Sequence, residues 1–498
     1  MNGQRRYRFG PLEQRGVVGP LGVGQVVVVA VAALIALGAI DLMRNWIGLG
    51  LALVVLLVAV AVIYLPFEGR TLEQWAPVGL RWAVSMADRK RGYRSRAPGA
   101  GVRIVDAQAV FPVSLPPELA GLQMLEVPYG SDRVGVLRDR NAGTYTAALA
   151  VRAGAFSLLD AAEQERKLDG WGSVLAGLAR EGSPVRRLQW IERTLPAQGD
   201  ELASYFQAER DRAVPLDSGL VASYIELVEA AAPVTREHEI LLALQIDERR
   251  GAREMRRMGG GADAACRLLL REAESLAEQL SVAEVTVFGV LRPRRYAETI
   301  RDAFDPYGRQ SRGRTALGGP EREGIEPALM GPLAAQETWS AYRTDSAHHI
   351  TAWISDWPRT DVGPAFLTPL LMQTTALRTV AVCIEPVPHL KAIRKAEAAR
   401  TAEVAEELQR ERQGFMTSAR LRRRQQAAAR REEELADGHA EMRFTGFVGF
   451  DGRSAEEAER HYGEGEHAAA LAHLGLQRLY GEQAAAFCNL LPLCWGLK

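Results

Sequence analysis

The sequence predicts an α+β protein in which an N-terminal two-helix transmembrane hairpin is followed by a cytoplasmic mixed α/β domain of tandem strand–helix modules. Two apolar runs near the N-terminus, and an alternation of strand and helix patterns after residue 100, predict this class. A late segment rich in Ala, Arg, Glu and Gln predicts a long helical hairpin that projects from the domain. The 498 residues, 47% of them hydrophobic, suffice for about two or three domains with a large core.

The two apolar runs predict a transmembrane hairpin at 21–67, with spans at 21–40 and 46–67. Gln25 is the only strongly polar residue of the first span, and the second span carries no charge. A helix of about 20 residues crosses the roughly 30 Å hydrocarbon core of a bilayer. The second apolar run follows the first at once, which argues against a cleaved signal peptide. Two buried helices of a soluble core are the alternative interpretation.

The charges that flank the hairpin predict that both of its ends face the cytoplasm. The basic segment 1–20 has four Arg and one Glu, and residues 81–96 have five Arg and one Lys against one Asp. Asp41 and Arg44 cancel in the turn between the spans. The positive-inside rule therefore predicts a multi-pass protein of the cell membrane with both termini and the domain in the cytoplasm.

Residues 68–100 are expected to form a juxtamembrane amphipathic helix and a basic linker. Thr71 and Gln74 match a capping box, which predicts a helix start. The helix then carries the apolar and aromatic residues Trp75, Leu80, Trp82 and Met86. An interfacial helix on an anionic leaflet accounts for this pattern. An ordinary packed helix between the anchor and the domain is the alternative.

Two α/β modules are predicted at 101–305 and 336–498, separated by a Gly/Pro/Arg-rich insertion at 306–335. The segment 389–437 is poor in large apolar residues, so we expect a projecting helical hairpin with solvated faces. Alternating apolar residues and turn signals predict strands at 134–138, 144–151, 185–193, 239–246, 282–291, 339–344, 350–355, 379–385 and 442–450. Capping residues and helical periodicity predict helices at 160–178, 201–212, 218–231 and after 454.

No residue pattern predicts catalysis, a cofactor site or a metal site, so the sequence predicts a protein that is not an enzyme. No Gly-Lys pair occurs, which excludes a P-loop, and HExxH and GxSxG are absent. His348 and His349 are adjacent in a predicted strand, where neighbouring side chains face opposite ways. The four cysteines are too scattered for a disulfide framework or a zinc site, so we expect them to be reduced: Cys266, Cys383, Cys488 and Cys494.

The charge balance argues against nucleic acid as the main partner. The chain has 61 basic and 61 acidic residues, whereas nucleic-acid-binding domains normally carry a basic excess. Residues 1–100 hold 12 basic and 5 acidic residues, which leaves 49 and 56 for the rest. The neutrality is therefore a cancellation between a basic membrane-proximal segment and a mildly acidic body.

Several stretches together resemble known secretion proteins. The exit of the hairpin, Pro66-Phe67-Glu68-Gly69-Arg70-Thr71-Leu72-Glu73-Gln74-Trp75, resembles PrgI-like proteins, which are two-helix inner-membrane subunits of conjugative type IV secretion systems. The soluble part resembles the N-terminal membrane-docking domain of the VirB-type conjugation ATPase in the stretches 156–160, 236–242, 303–306 and 490–493. The motor of that ATPase would follow the last stretch, whereas this sequence ends at Lys498. The chain is thus similar to a motor-less, membrane-anchored family of high-GC Gram-positive bacteria.

The resemblance implies a non-enzymatic scaffold of a conjugative type IV-like secretion apparatus. Its implied partners are membrane lipids, a separately encoded hexameric ATPase docked at the cytoplasmic face, other membrane subunits of the apparatus, and further copies of the chain. One alternative is an EccE-like type VII secretion subunit, which also has two N-terminal spans before a cytoplasmic domain. A second alternative, from a different class, is a membrane-bound enzyme with an unrecognised site.

Overall fold

A computed structural model describes residues 23–196, 214–309 and 324–497, with internal gaps at 44, 88–90, 97–102, 106–107, 111–113, 153, 155, 157–158, 216–217, 232–235, 373–375, 413–428, 431–432 and 437. It confirms the α+β class, because two N-terminal apolar helices precede a large antiparallel sheet covered by helices. The basic segment 1–20 and the helix predicted at 201–212 lie outside the described residues.

The N-terminal hairpin consists of helices α1 (Val23–Met43) and α2 (Trp46–Tyr64), and both are long and apolar enough to cross a membrane. Asn45 caps α2 by accepting the backbone N–H of Gly48 at 3.0 Å. A Cβ added to Gly48 would lie 2.8 Å from the carbonyl oxygen of Ala39. Such close approach through small residues is typical of paired membrane helices.

The chain leaves the hairpin through a short turn made of strands β1 (Pro66–Phe67) and β2 (Arg70–Thr71). Helix α3 (Leu72–Ala87) follows directly. The backbone N–H of Thr71 donates to Oε1 of Gln74 at 3.3 Å, which is one half of the predicted capping box. The sequence therefore marked the start of this helix correctly.

One antiparallel sheet of thirteen strands forms the centre of the described domain. Its order is β3-β12-β13-β14-β16-β15-β9-β10-β8-β7-β6, with β11 beside β8 and β17 beside β14. The strands are β3 (Gly92–Arg94), β6 (Leu122–Tyr129), β7 (Asp132–Asp139), β8 (Thr144–Arg152), β9 (Val185–Pro196), β10 (Arg236–Asp247), β11 (Thr286–Val290), β12 (Ala334–Glu337), β13 (Tyr342–Thr344), β14 (His348–Asp356), β15 (Leu377–Pro386), β16 (Met442–Gly452) and β17 (Gly475–Arg478). A separate hairpin pairs β4 (Arg103–Val105) with β5 (Gln108–Val110).

Nine further helices are described after α3. They are α4 (Ala161–Leu178), α5 (Gly219–Ala231), α6 (Glu248–Arg257), α7 (Gly261–Val282), α8 (Pro293–Phe304), α9 (Thr368–Met372), α10 (His389–Arg412), α11 (Ala455–Leu471) and α12 (Gln483–Cys488). Capping by Asp160 and by Ser454 starts α4 and α11 respectively, as the sequence predicted.

The two halves of the domain repeat one strand–helix order. In the first half a strand hairpin, β7–β8, is followed by β9, β10 and β11 with helices between them, and in the second half β13–β14 is followed by β15, β16 and β17. Within each half the fourth strand lies between the second and the third, and the fifth pairs with the second. The third strands, β9 and β15, pair antiparallel with each other. The halves are therefore related by an approximate two-fold axis through this central pair.

Helices cover both faces of the sheet and divide the core into two layers. On one face α8 and α12 pack together, and the ring centroids of Phe304 and Phe487 are 5.0 Å apart. On the other face α7 covers the first half and α11 the second, with Trp190 contacting both clusters. The central strands β9 and β10 are covered on both faces, so they form the most enclosed part of the domain.

The C-terminal segment lies across the central strands. The side-chain oxygen of Gln189 on β9 accepts the backbone N–H groups of Leu493 and Cys494 at 3.1 and 2.7 Å. The hydroxyl of Tyr296 on α8 donates to the carbonyl of Pro492 at 2.6 Å. Because these partners are about 200 to 300 residues apart in sequence, this segment ties both halves together.

The two ends of the segment predicted as a projecting helical hairpin lie next to each other. Helix α10 forms the first arm of the predicted hairpin. Most of the predicted second arm falls within 413–428, which lies outside the described residues. Leu435 near its end packs with Val387, Ala392 and Ala396 at the start of α10. The chain therefore returns to its point of departure before it enters β16.

Candidate docking site between the hairpin and the sheet

An aromatic contact holds α3 against the second half of the domain. Trp339 lies between two tryptophans of the helix, with ring centroids 5.7 Å from Trp75 and 5.1 Å from Trp82. The ring of Tyr480 is 6.2 Å from Trp75. Val78 is buried between them. These positions on α3 are spaced by three to four residues, so they form one continuous inner face of the helix.

Charged groups reinforce this contact around Glu482. Its carboxylate pairs with Arg70 of β2 at 3.1 Å and with Arg81 of α3. The guanidinium of Arg91 lies 3.3 Å above the ring of Trp82, a cation–π contact. Arg81 and Arg91, which belong to the basic segment expected to face an anionic leaflet, therefore contact the protein itself.

Gly481 brings the domain backbone close to α3. Its φ is +71°, and an added Cβ would lie 2.6 Å from a ring carbon of Trp339 and 3.0 Å from Cγ1 of Val78. Only glycine combines this backbone conformation with so little space. The aromatic contact and the ion pairs thus depend on a residue without a side chain.

We expect Gly481→Ala to weaken the docking of α3. The matched control is Gly130→Ala, because Gly130 has a φ of +61° but nothing within 4 Å of an added Cβ. Both variants lose about 1 kcal/mol to backbone strain, and Gly481→Ala loses about 1–3 kcal/mol more from the overlap. Urea unfolding of the detergent-solubilised protein measures the difference. Equal losses for the two variants would mean that α3 does not pack tightly at Gly481.

A layer of buried ion pairs connects β9, β10 and α8. Arg193 pairs with Glu239, and its guanidinium donates to the carbonyl of Thr299 at 2.7 Å. Arg309 pairs with Asp302 at 3.1 Å and with Glu237 at 2.6 Å. The layer consists of Arg193, Glu237, Glu239, Arg295, Glu298, Asp302 and Arg309. It borders the points where the chain enters the undescribed segments 197–213, 232–235 and 310–323.

The charge state of this layer follows from its pairing. Burial alone would raise the pKa of Glu239, but the guanidinium groups of Arg193 and Arg295 outweigh it and hold that pKa below the usual range. The carboxylate therefore remains ionised, and each acid in the layer has a fixed basic partner. Such paired groups brace the fold and are poorly suited to proton transfer.

A buried chain of Asp451, His349 and Thr344 has the carboxylate–imidazole–hydroxyl order of hydrolase triads. His349 Nδ1 lies 2.6 Å from Oδ1 of Asp451, and its Nε2 lies 2.6 Å from Oγ1 of Thr344. That hydroxyl, however, is also bonded to the carbonyl oxygen of Phe304, and Phe487 packs 4.6 Å from the imidazole. His349 is fully buried. The arrangement therefore holds β13, β14 and β16 together without access for a substrate.

Two neighbouring carboxylates of the domain have a raised pKa. Burial raises the pKa of Glu118 and of Glu337, which share a small pocket beside Tyr342. Glu337 already accepts the backbone N–H of Ala484 at 2.9 Å, so it caps the start of α12. This engagement favours a structural role for Glu337 over acid catalysis.

The sequence predicts four reduced cysteines and no metal site. Within the described ranges, no three His, Cys, Asp or Glu side chains are placed to hold a metal ion. All four cysteines are free and buried. Burial raises the pKa of Cys266 to about 11 and that of Cys383 to about 12, and it raises the pKa values of Cys488 and Cys494 well above the usual value. These thiols are therefore protonated and unreactive at neutral pH.

Comparisons with known proteins do not identify a family for this chain. The chain matches no protein-family profile, and no curated protein is similar to it in sequence.

Proposed function

We propose that this protein is a membrane-anchored scaffold subunit of a conjugative type IV-like secretion apparatus, which docks a separately encoded hexameric ATPase at the cytoplasmic face. The observation that carries the proposal is the close packing of α3, the helix that follows the membrane-length hairpin, against the sheet. Trp339, Tyr480 and Glu482 hold α3, and β3, which follows α3 in the chain, pairs with β12 at the sheet edge. A flexible tether would suffice for an enzyme that only needs to stay near a membrane, whereas a scaffold needs a fixed orientation.

The interior of the domain also supports a structural role. The best-placed acid–base groups, His349 with Asp451 and Glu337, are engaged in the fold as described above. The resemblance at the hairpin exit and at the four stretches of the soluble part supplies the secretion context. The flanking arginines support an orientation with both termini in the cytoplasm of the producing cell and the hairpin in its cell membrane.

Photo-crosslinking in native membranes tests the proposal. The chain contains five lysines, so lysine-directed reagents would sample its surface poorly. We would place p-benzoylphenylalanine at Phe288, Leu390 and Leu471, which are exposed and lie in both halves of the domain. Leu34, which is exposed on α1, serves as the control for contacts made through the membrane.

The crosslinked partners decide between the candidate functions. A VirB-type hexameric ATPase captured from domain positions, and absent from the Leu34 sample, is the expected result. Capture of a three-module type VII ATPase would replace the proposal with the EccE-like alternative. Capture of metabolic enzymes alone from all domain positions would contradict both scaffold hypotheses.

A further inference from the structure

Helix α3 has a second face, opposite the aromatic contact, that is apolar and uncovered. Leu72 is 43% exposed, Leu80 68% and Val84 54%. Ala76, Pro77 and Ala83 are exposed beside them. Positions 72, 76, 80 and 84 are spaced by four residues and follow one side of the helix. The α3 outer face is thus a stripe of the 16-residue helix, about 24 Å long.

The position of α3 indicates what covers this face. The exposed apolar surface of α2 continues to Tyr64 and Leu65, and α3 begins seven residues later at Leu72. Helix α3 also contacts α1 and α2 directly, and an added Cβ on Gly24 at the start of α1 would lie 3.3 Å from Glu73 of α3. The helix therefore lies beside the ends of the two membrane-length helices, at the depth where a bilayer would meet water.

The charges around α3 fit the same location. Arg94 and Arg96 are exposed in the segment that follows the helix, where basic groups would face anionic headgroups. Glu73 lies on the same side at the start of the helix, beside Gly24 of α1, whereas positions 76, 77, 80, 83 and 84 carry no acidic residue. An apolar helix face with basic flanks is the pattern of a helix that lies in a membrane interface.

We propose that α3 is a two-sided adaptor whose outer face, formed by Leu72, Leu80 and Val84, lies in the headgroup–acyl boundary of the bilayer while its inner face holds the sheet. The inference rests on the membrane location in the proposed function. It adds that the lipid surface sets the height and tilt of the sheet domain, because the aromatic contact and β3 transmit the orientation of α3 to the sheet edge.

Depth-dependent fluorescence quenching in the full-length protein tests this proposal. An environment-sensitive dye is attached at Leu80→Cys or Val84→Cys, and the protein is reconstituted in phosphatidylcholine–phosphatidylglycerol vesicles with doxyl-labelled lipids. The native cysteines are at most 3% exposed, so the introduced thiol reacts selectively. Leu53→Cys in α2 is the control inside the bilayer, and Leu471→Cys on α11 is the control in water; both parent side chains are exposed.

We expect the dyes at positions 80 and 84 to lose emission with lipids that carry a shallow doxyl group and to keep it with a deep one. The dye at 53 shows the reverse, and the dye at 471 is unaffected by either lipid. If 80 and 84 behave like 471 while 53 is quenched, the adaptor is wrong although the anchor is right. If 80 and 84 are shielded from water but not quenched by any lipid, a protein partner covers the face instead. If 53 is not quenched either, the membrane location itself fails.

Discussion

Removal of residues 1–65 is expected to convert the protein from an integral into a peripheral membrane protein. The deletion takes away α1 and α2, which supply the apolar length for two spans, but it keeps Arg70 and its pairing with Glu482. Insertion of a spanning helix is effectively irreversible, whereas an interfacial helix binds reversibly. The full-length chain should resist extraction by alkaline carbonate, and the truncated chain should appear entirely in the carbonate supernatant.

The matched control keeps the spans and alters only α3. The double variant Leu80→Glu and Val84→Glu in the full-length chain should stay in the carbonate-resistant pellet, because α1 and α2 are intact. A truncated chain that also resists carbonate extraction would show that the hairpin is not the principal anchor. Circular dichroism of the truncated protein before and after extraction excludes unfolding as the reason for its release.

The largest loss of stability from a single substitution is expected at Asp302 in the ion-pair layer. Asp302 is fully buried, and the side chain of Arg309 beside it is 2% exposed. Asp302→Ala removes a buried negative charge that neutralises the Arg309 guanidinium. We expect the free energy of unfolding to fall by about 3 kcal/mol. The midpoint of urea unfolding in detergent measures this loss.

Two controls separate burial from charge. Asp132 pairs with Arg292 at 2.7 Å, but both side chains are more than half exposed, so Asp132→Ala should cost at most about 1 kcal/mol. The double variant Asp302→Leu with Arg309→Met replaces the pair by apolar groups and should recover part of the stability that Asp302→Ala loses. Equal costs for Asp302→Ala and Asp132→Ala would show that the layer does not brace the fold.

Local patterns in the sequence predicted most elements of the fold. The strands predicted at 134–138 and 144–151 lie in β7 and β8, and the apolar run 239–246 lies in β10. The strand predicted from 339 begins only at Tyr342, because Thr338 and Ala341 close a turn with a backbone hydrogen bond of 2.8 Å. Helix α8 was missed, although Pro293 at its start and the spacing of Tyr296, Ile300 and Phe304 are ordinary helix signals.

The arrangement of the site was less predictable, because its contacts join residues that are far apart in sequence. The amphipathic character of α3 was visible, but its pairing with Glu482 spans about 400 residues. The ion-pair layer could not be predicted from the sequence either, because Glu237 and Glu239 resemble exposed charged residues that precede a buried strand. Only the structure shows that both lie on the face covered by α8, next to Arg309 and Arg193. Long-range charge pairing of this kind leaves no local periodic signal.

The central pairing of β9 with β15 has a consequence for the synthesis of this protein. The register joins Ile191 to Ala381, so β9 has left the ribosome long before its partner exists. At about 5–20 residues per second, this interval lasts roughly ten to forty seconds. During that time the backbone N–H and C=O groups at the β9 edge of the first half are unpaired, and such an edge is a template for aggregation. The Gln189 contacts of the C-terminal segment form later still. Biogenesis of this protein should therefore depend on a chaperone that protects the β9 edge until the second half arrives.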